Sequence, residues 1–80
     1  MKKASRSLST IAGEIGRDWK KPYFGAVPYL NAMCGMESIE EKFMFDSARD
    51  IVARFLSNAS TWRGETARRV KAELNAMLKN

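Results

Sequence analysis

Apolar residues recur at helical spacing in this chain, and nowhere does a two-residue alternation last long enough to build a sheet. From Ser7 to about Lys20 they fall at Leu8, Ile11, Ala12, Ile15 and Trp19, which predicts a first helix despite Gly13 and Gly16. Each glycine costs about 1 kcal/mol relative to alanine in a helix interior, so Gly16, at the flank of the stripe, is expected to admit a neighbouring backbone. From Asp46 to Asn58 the stripe is Ala48, Ile51, Val52, Phe55 and Leu56, all on one side at 100° per residue. Asp46 or Ser47 supplies the N-cap oxygen, and Asp50 precedes Arg54 in the favourable order for a helical ion pair. A third stripe, Ala67, Val70, Leu74, Met77 and Leu78, predicts a helix from near Trp62. Between the last two stripes stand Ser57, Asn58, Ala59, Ser60 and Thr61, short side chains that favour turns and caps. The final thirty-five residues therefore read as an αα-hairpin with its stripes facing inward.

The middle of the chain is less regular. Lys21 precedes Pro22, which turns the backbone out of helix, and Pro28 suits the first turn of a short helix ending near Gly35. Tyr23, Phe24, Val27, Tyr29, Leu30 and Met33 are many large apolar groups for so short a piece. They either complete a small core or form a partner-binding patch of Tyr23, Phe24 and Tyr29; a domain of this size needs the core. Trp19 is likewise either a core anchor or an aromatic able to stack on a base beside Lys20 and Lys21, and packing is favoured. Glu37 to Phe45 is an acidic connector in which Ser38 and Glu41 fit a capping box for a turn or two of helix. Phe43, Met44 and Phe45 cannot all face inward from one helix, so a bend is expected there. The resulting fold class is all-α: a compact bundle of three main helices plus one short helix, with residues 1–6 a disordered basic N-terminus and 7–80 a single helical domain.

Composition narrows function chiefly by exclusion. Eighty residues bury only about 60% of their unfolded surface, leaving little room for a deep catalytic cleft. Cys34 is the one cysteine and histidine is absent, so an internal disulfide, a His/Cys zinc site and a His-assisted nucleophile are all ruled out. Beside Met33 and Met36, Cys34 is expected to behave as a small apolar side chain. No glycine-rich run forms a P-loop or dinucleotide fingerprint, and the acids lack the alternating ligands of a calcium loop. No enzyme, cofactor or metal is expected. No apolar run approaches the roughly 20 residues that span a bilayer. Glu14, Arg17 and Asp18 interrupt what might follow Lys2, Lys3 and Arg6 as a signal peptide, which predicts a cytoplasmic protein.

Charge is what remains. The net +5 divides into +4 for residues 1–24, −3 for 25–50 and +4 for 51–80. The acidic middle either docks between basic ends or leaves a basic surface for phosphate. On the last helix, Glu65, Arg69 and Glu73 form an i, i+4, i+8 ladder that compensates itself. Arg68, Lys71, Asn75 and Lys79 form an acid-free strip. With Arg63 near the helix start and Lys20 and Lys21 earlier, these bases are the candidate nucleic-acid contacts. Trp62, Arg63, Arg68 and Lys71 after a polar turn also give the hairpin a weak helix-turn-helix character.

The blocks PYFGAVPYLNAM and DSARDIVARFLSNASTWRGETARRVKAELNAML resemble small bacterial proteins of phages, plasmids and integrated mobile elements, over roughly residues 8–79. The resemblance implies a setting in which short proteins act as regulators or as inhibitors of host defence, including anti-CRISPR proteins. Two function classes follow as expectations. One is a non-enzymatic module that holds nucleic acid or a nucleoprotein on its basic face. The other is a protein-protein inhibitor or adaptor docking through Tyr23, Phe24 and Tyr29. A homodimer completed by the hairpin is a third possibility.

Overall fold

A computed structural model describes residues 6–43 and 46–79, the side chain of Phe43 excepted. Helix α1, Leu8–Asp18, starts where the Ser7 hydroxyl accepts the Thr10 N–H at 3.1 Å. It ends as Trp19 turns extended, its N–H still bound to the Ile15 carbonyl. Helix α2, Val27–Cys34, has Pro28 in its first turn and Gly35 at its C-cap, as the sequence predicts. Helix α3, Ala48–Ser57, is capped by the Ser47 hydroxyl on the Asp50 N–H. Helix α4 covers Glu65–Lys79.

The stripes become the core. Leu8, Ile11, Ala12, Ile15 and Trp19 from α1, Leu30 and Met33 from α2, Ala48, Ile51, Val52 and Phe55 from α3, and Ala67, Val70 and Leu74 from α4 are buried in one cluster. Leu56, Met77 and Leu78 pack on its edge. Each helix touches the next and α4 returns to α1, closing a ring of four. Long-range contacts fix the directions: Trp19, just past α1, meets Trp62, just before α4, while Arg49 near the start of α3 donates to the Leu78 carbonyl at the end of α4. Helices α3 and α4 are thus antiparallel, and so are α1 and α4. The loops after α1 and α3 share one end of the bundle.

Four sequence expectations are corrected. Residues 38–41 form a turn and not helix, with the Ser38 hydroxyl accepting from Glu40 and the Glu41 carboxylate accepting from the Glu37 N–H. Strands β1, Lys42–Phe43, and β2, Asp46–Ser47, then pair antiparallel in a minimal ladder, a short addition to an architecture that is mostly helical and broadly the all-α class expected. The expected bend at Met44 and Phe45 lies outside the described residues. Helix α4 starts three residues later than predicted, because Trp62 is drawn into the core and Gly64 makes the turn at φ +117°. Gly16 faces open space, with nothing within 4 Å of where a Cβ would stand, so it admits no neighbouring backbone. Cys34 is exposed at the end of α2 while its neighbours Met33 and Met36 enter the core.

Candidate nucleic-acid interface

The loop from Asn58 to Gly64 is organised around Trp62. Its indole stacks on Trp19 at 5.8 Å and meets Phe55 edge-on at 6.4 Å, and its N–H donates to the Asp18 carboxylate at 2.8 Å. A buried tryptophan with its one polar atom satisfied is a firm anchor. Trp19 takes the packing role predicted for it, being 7% exposed. Because Trp19 and Trp62 stack, Lys20 and Lys21 leave the core beside the α3–α4 loop, and both are exposed.

Lys71 completes this anchor from beneath. Its ammonium donates to the carbonyls of Ala59 and Trp62, both at 2.7 Å, and lies 5.9 Å from the centre of the Trp62 ring. The expectation that Lys71 belongs to a free basic strip is therefore corrected. Its four-carbon stem lets it fold back to serve loop carbonyls that have no partner in α4. Burial, and then the positive charge of Arg63, push its pKa below the ordinary lysine range.

What stays open is the start of α4. The Gly64 carbonyl accepts the first helical bond, from Arg68 N–H at 3.0 Å. Having no side chain, Gly64 offers no oxygen to the amides of the first turn, which lack intrahelical partners. Trp62, Arg63, Gly64, Ala67, Arg68 and Lys71 line a recess of about 310 Å³ there. Arg63 and Arg68 are exposed, and among the described residues no carboxylate lies within salt-bridge distance of either. Two guanidinium groups beside a helix N-terminus make a natural seat for an anion.

The other predicted residues divide. Lys79, fourteen residues along α4 from Glu65, stands about 21 Å away at the opposite end. Tyr29 is half-buried against the core and is removed from the exposed aromatic patch, while Tyr23 and Phe24 are exposed. The connection between α3 and α4 is longer than the three or four residues of a helix-turn-helix, and its buried Trp62 makes it part of the core. The recognition-helix geometry is not formed.

The predicted Glu65–Arg69–Glu73 ladder gives way to a cross-helix network. Arg69 pairs with Glu14 of α1, and Arg6 bridges Glu14 at 2.9 Å and Glu73 at 2.6 Å. Arg6, placed by sequence in the basic N-terminus, thus spans α1 and α4; residues 1–5 lie outside the described residues. The hydrogen bond from Arg69, then that from Arg6, holds the Glu14 carboxyl below the usual carboxylate range. Arg49 is a further residue that sequence reasoning missed. It closes the end of α4 through the Met77 and Leu78 carbonyls at 3.4 and 3.0 Å; the only hint was a base on the flank of the α3 stripe.

Among the described residues, no three His, Cys, Asp or Glu side chains gather as a metal site, and no helix is long and apolar enough to cross a membrane. No protein-family model matches the chain, nor does any curated protein or solved structure compared with it.

Proposed function

We propose that the chain is a non-enzymatic binding module that holds a phosphate backbone, of nucleic acid or nucleoprotein, at the start of α4. Its setting in a phage or mobile element rests on the sequence resemblance alone. The observation that carries the reading is the pairing of Arg63 and Arg68, with no carboxylate among the described residues in salt-bridge distance, beside a helix start preceded by a glycine. Lys20 and Lys21 add charge from the adjacent loop. Lys71, whose pKa is lowered first by burial and then by the charge of Arg63, adds to the positive charge crowded at this place. Tethering a phosphate there relieves that crowding.

The test is binding of a labelled oligonucleotide, followed by anisotropy. With four phosphate contacts, log K should fall against log salt with a slope of roughly −3, or several tens of fold between about 50 and 200 mM. Arg63→Glu with Arg68→Glu should abolish it. No binding at low salt, or binding indifferent to the double reversal, ends the proposal.

The exposure of Phe24, at 79%, supports a second reading, a protein-protein inhibitor or adaptor that docks through Tyr23 and Phe24. It differs in requiring a protein partner whose capture depends on those rings and only weakly on salt.

A further inference from the structure

Among the described residues Phe24 is the most exposed of the large apolar side chains, and the turn that carries it is held. Its ring lies 5.0 Å from that of Tyr23, tilted by 56°. Tyr23 in turn folds over Gly25 so closely that a Cβ there would sit 2.6 Å from its ring and 2.9 Å from the Asn58 side-chain oxygen. Only glycine allows that approach. Backbone bonds from Ala26 to the Tyr23 carbonyl at 2.8 Å and from Val27 to the Phe24 carbonyl at 3.3 Å close the turn into α2. Phe24 is therefore presented on a fixed turn, and a single exposed ring alone would mean little.

Its surroundings give it meaning. No acid occurs between Asp18 and Glu37, nor between Asp50 and Glu65, so the two loops carry none of their own; Asp18, bonded to the Trp62 N–H, and Glu65 border them. Lys20 and Lys21 precede the aromatic pair. Tyr23, Ser57, Asn58, Ser60 and Thr61 line a recess of about 280 Å³, and the same loop runs on through Trp62 to Arg63. The Phe24 ring lies against Tyr23, Tyr23 shares its recess with the hydroxyls and amide of the α3–α4 loop, and that loop leads into the arginines at the start of α4. That order suits a ligand offering a flat apolar face, polar edges and repeated negative charge.

We propose that the ligand at this end is a single-stranded nucleic acid, with a base stacked on Phe24 and its backbone running toward Arg63 and Arg68. The inference rests on the phosphate-binding reading and names its ligand class. A duplex hides the faces of its bases inside the stack, whereas a single strand presents them to exposed aromatic rings between cationic side chains. Serine, threonine and asparagine accept or donate to whichever base edge arrives, so modest sequence preference is expected.

The experiment compares the full chain on a labelled oligothymidylate and on the same strand paired with oligoadenylate. The single strand should bind more tightly. Phe24→Ala should weaken it about 5- to 150-fold, the weight of one stacked base, with circular dichroism and the salt slope unchanged. Phe24→Trp should restore affinity, and its emission should be quenched as the strand binds. Equal or tighter binding of the duplex, or no effect of Phe24→Ala while the Arg63 and Arg68 reversal still abolishes binding, overturns the stacking proposal and leaves phosphate binding standing. Failure to bind either nucleic acid overturns both.

Discussion

Arg68 and Arg69 are adjacent in sequence on α4 and meet opposite fates. Arg69 turns into the seam with α1, where Glu14 takes it and Arg6 links Glu14 to Glu73. Arg68 turns toward the recess at the helix start and meets no acid among the described residues. Lys71, three residues on from Arg68, follows neither course, because its ammonium is held by two loop carbonyls. Whether a base on this small protein is structural or available is decided by what the neighbouring helix or loop presents to it, and the strip it shares on its own helix does not decide it.

That contrast is sharpest for Lys71 against Arg68. Lys71→Met keeps the apolar stem but takes the ammonium from the Ala59 and Trp62 carbonyls, leaving the Ala59 carbonyl only the Trp62 N–H, and both residues are buried. A loss of about 1–3 kcal/mol is expected from urea unfolding midpoints. Arg68→Ala should stay within about 0.5 kcal/mol of the parent. Equal effects of the two would erase the distinction between a fastening base and a free one.

The seam itself is tested by Glu14→Gln. Solvent screens the pairs, since the side chain of Arg69 is 54% exposed and that of Arg6 35%, so about 1 kcal/mol at neutral pH is the expected loss. The sign of the pH dependence follows from the lowered Glu14 pKa. A carboxylate held below its unfolded value, about 4.3, stabilises the fold above that pH and ceases to do so as pH falls through the folded value. Melting temperatures of the parent should therefore drop as pH falls below about 4.3, more steeply than those of the variant. Parallel curves would show that Glu14 does not sense its arginines.

The smallest expected effect has the opposite sign. Gly16→Ala, on an exposed and uncrowded part of α1, should stabilise by about 0.4–1 kcal/mol. A destabilised variant would mean that this face of α1 is occupied by something absent from the described contacts.

The apolar stripes carried most of the fold into view. Helical spacing placed Ile11, Ile15, Ile51, Phe55, Val70 and Leu74 in the core, and local chemistry narrowed the α3 cap to Asp46 or Ser47 and placed Pro28 at a helix start. These signals act within a few residues, so one strip of chain contains them. The two-residue strands were hidden because a ladder from Lys42 to Ser47 needs no apolar alternation. The site was half legible. Arg68 was marked by its acid-free strip, Arg63 by its place near the helix start, and Lys20 and Lys21 by standing beside Trp19. The withdrawal of Lys71 and Tyr29 depended on groups far along the chain, and so did the gathering of Arg6, Glu14 and Glu73. Spacing along one helix carries no information about those encounters.

Gly64 holds one more consequence. Its backbone stands at φ +117° with nothing within 4 Å of the place where a side chain would begin. What this position excludes is one hand of amino acid, whatever its size. Chemical synthesis could install D-alanine there, since the steric map of that hand is inverted and positive φ is its ordinary side. The mirror-image residue would stiffen the entry to α4, where its L enantiomer would strain it.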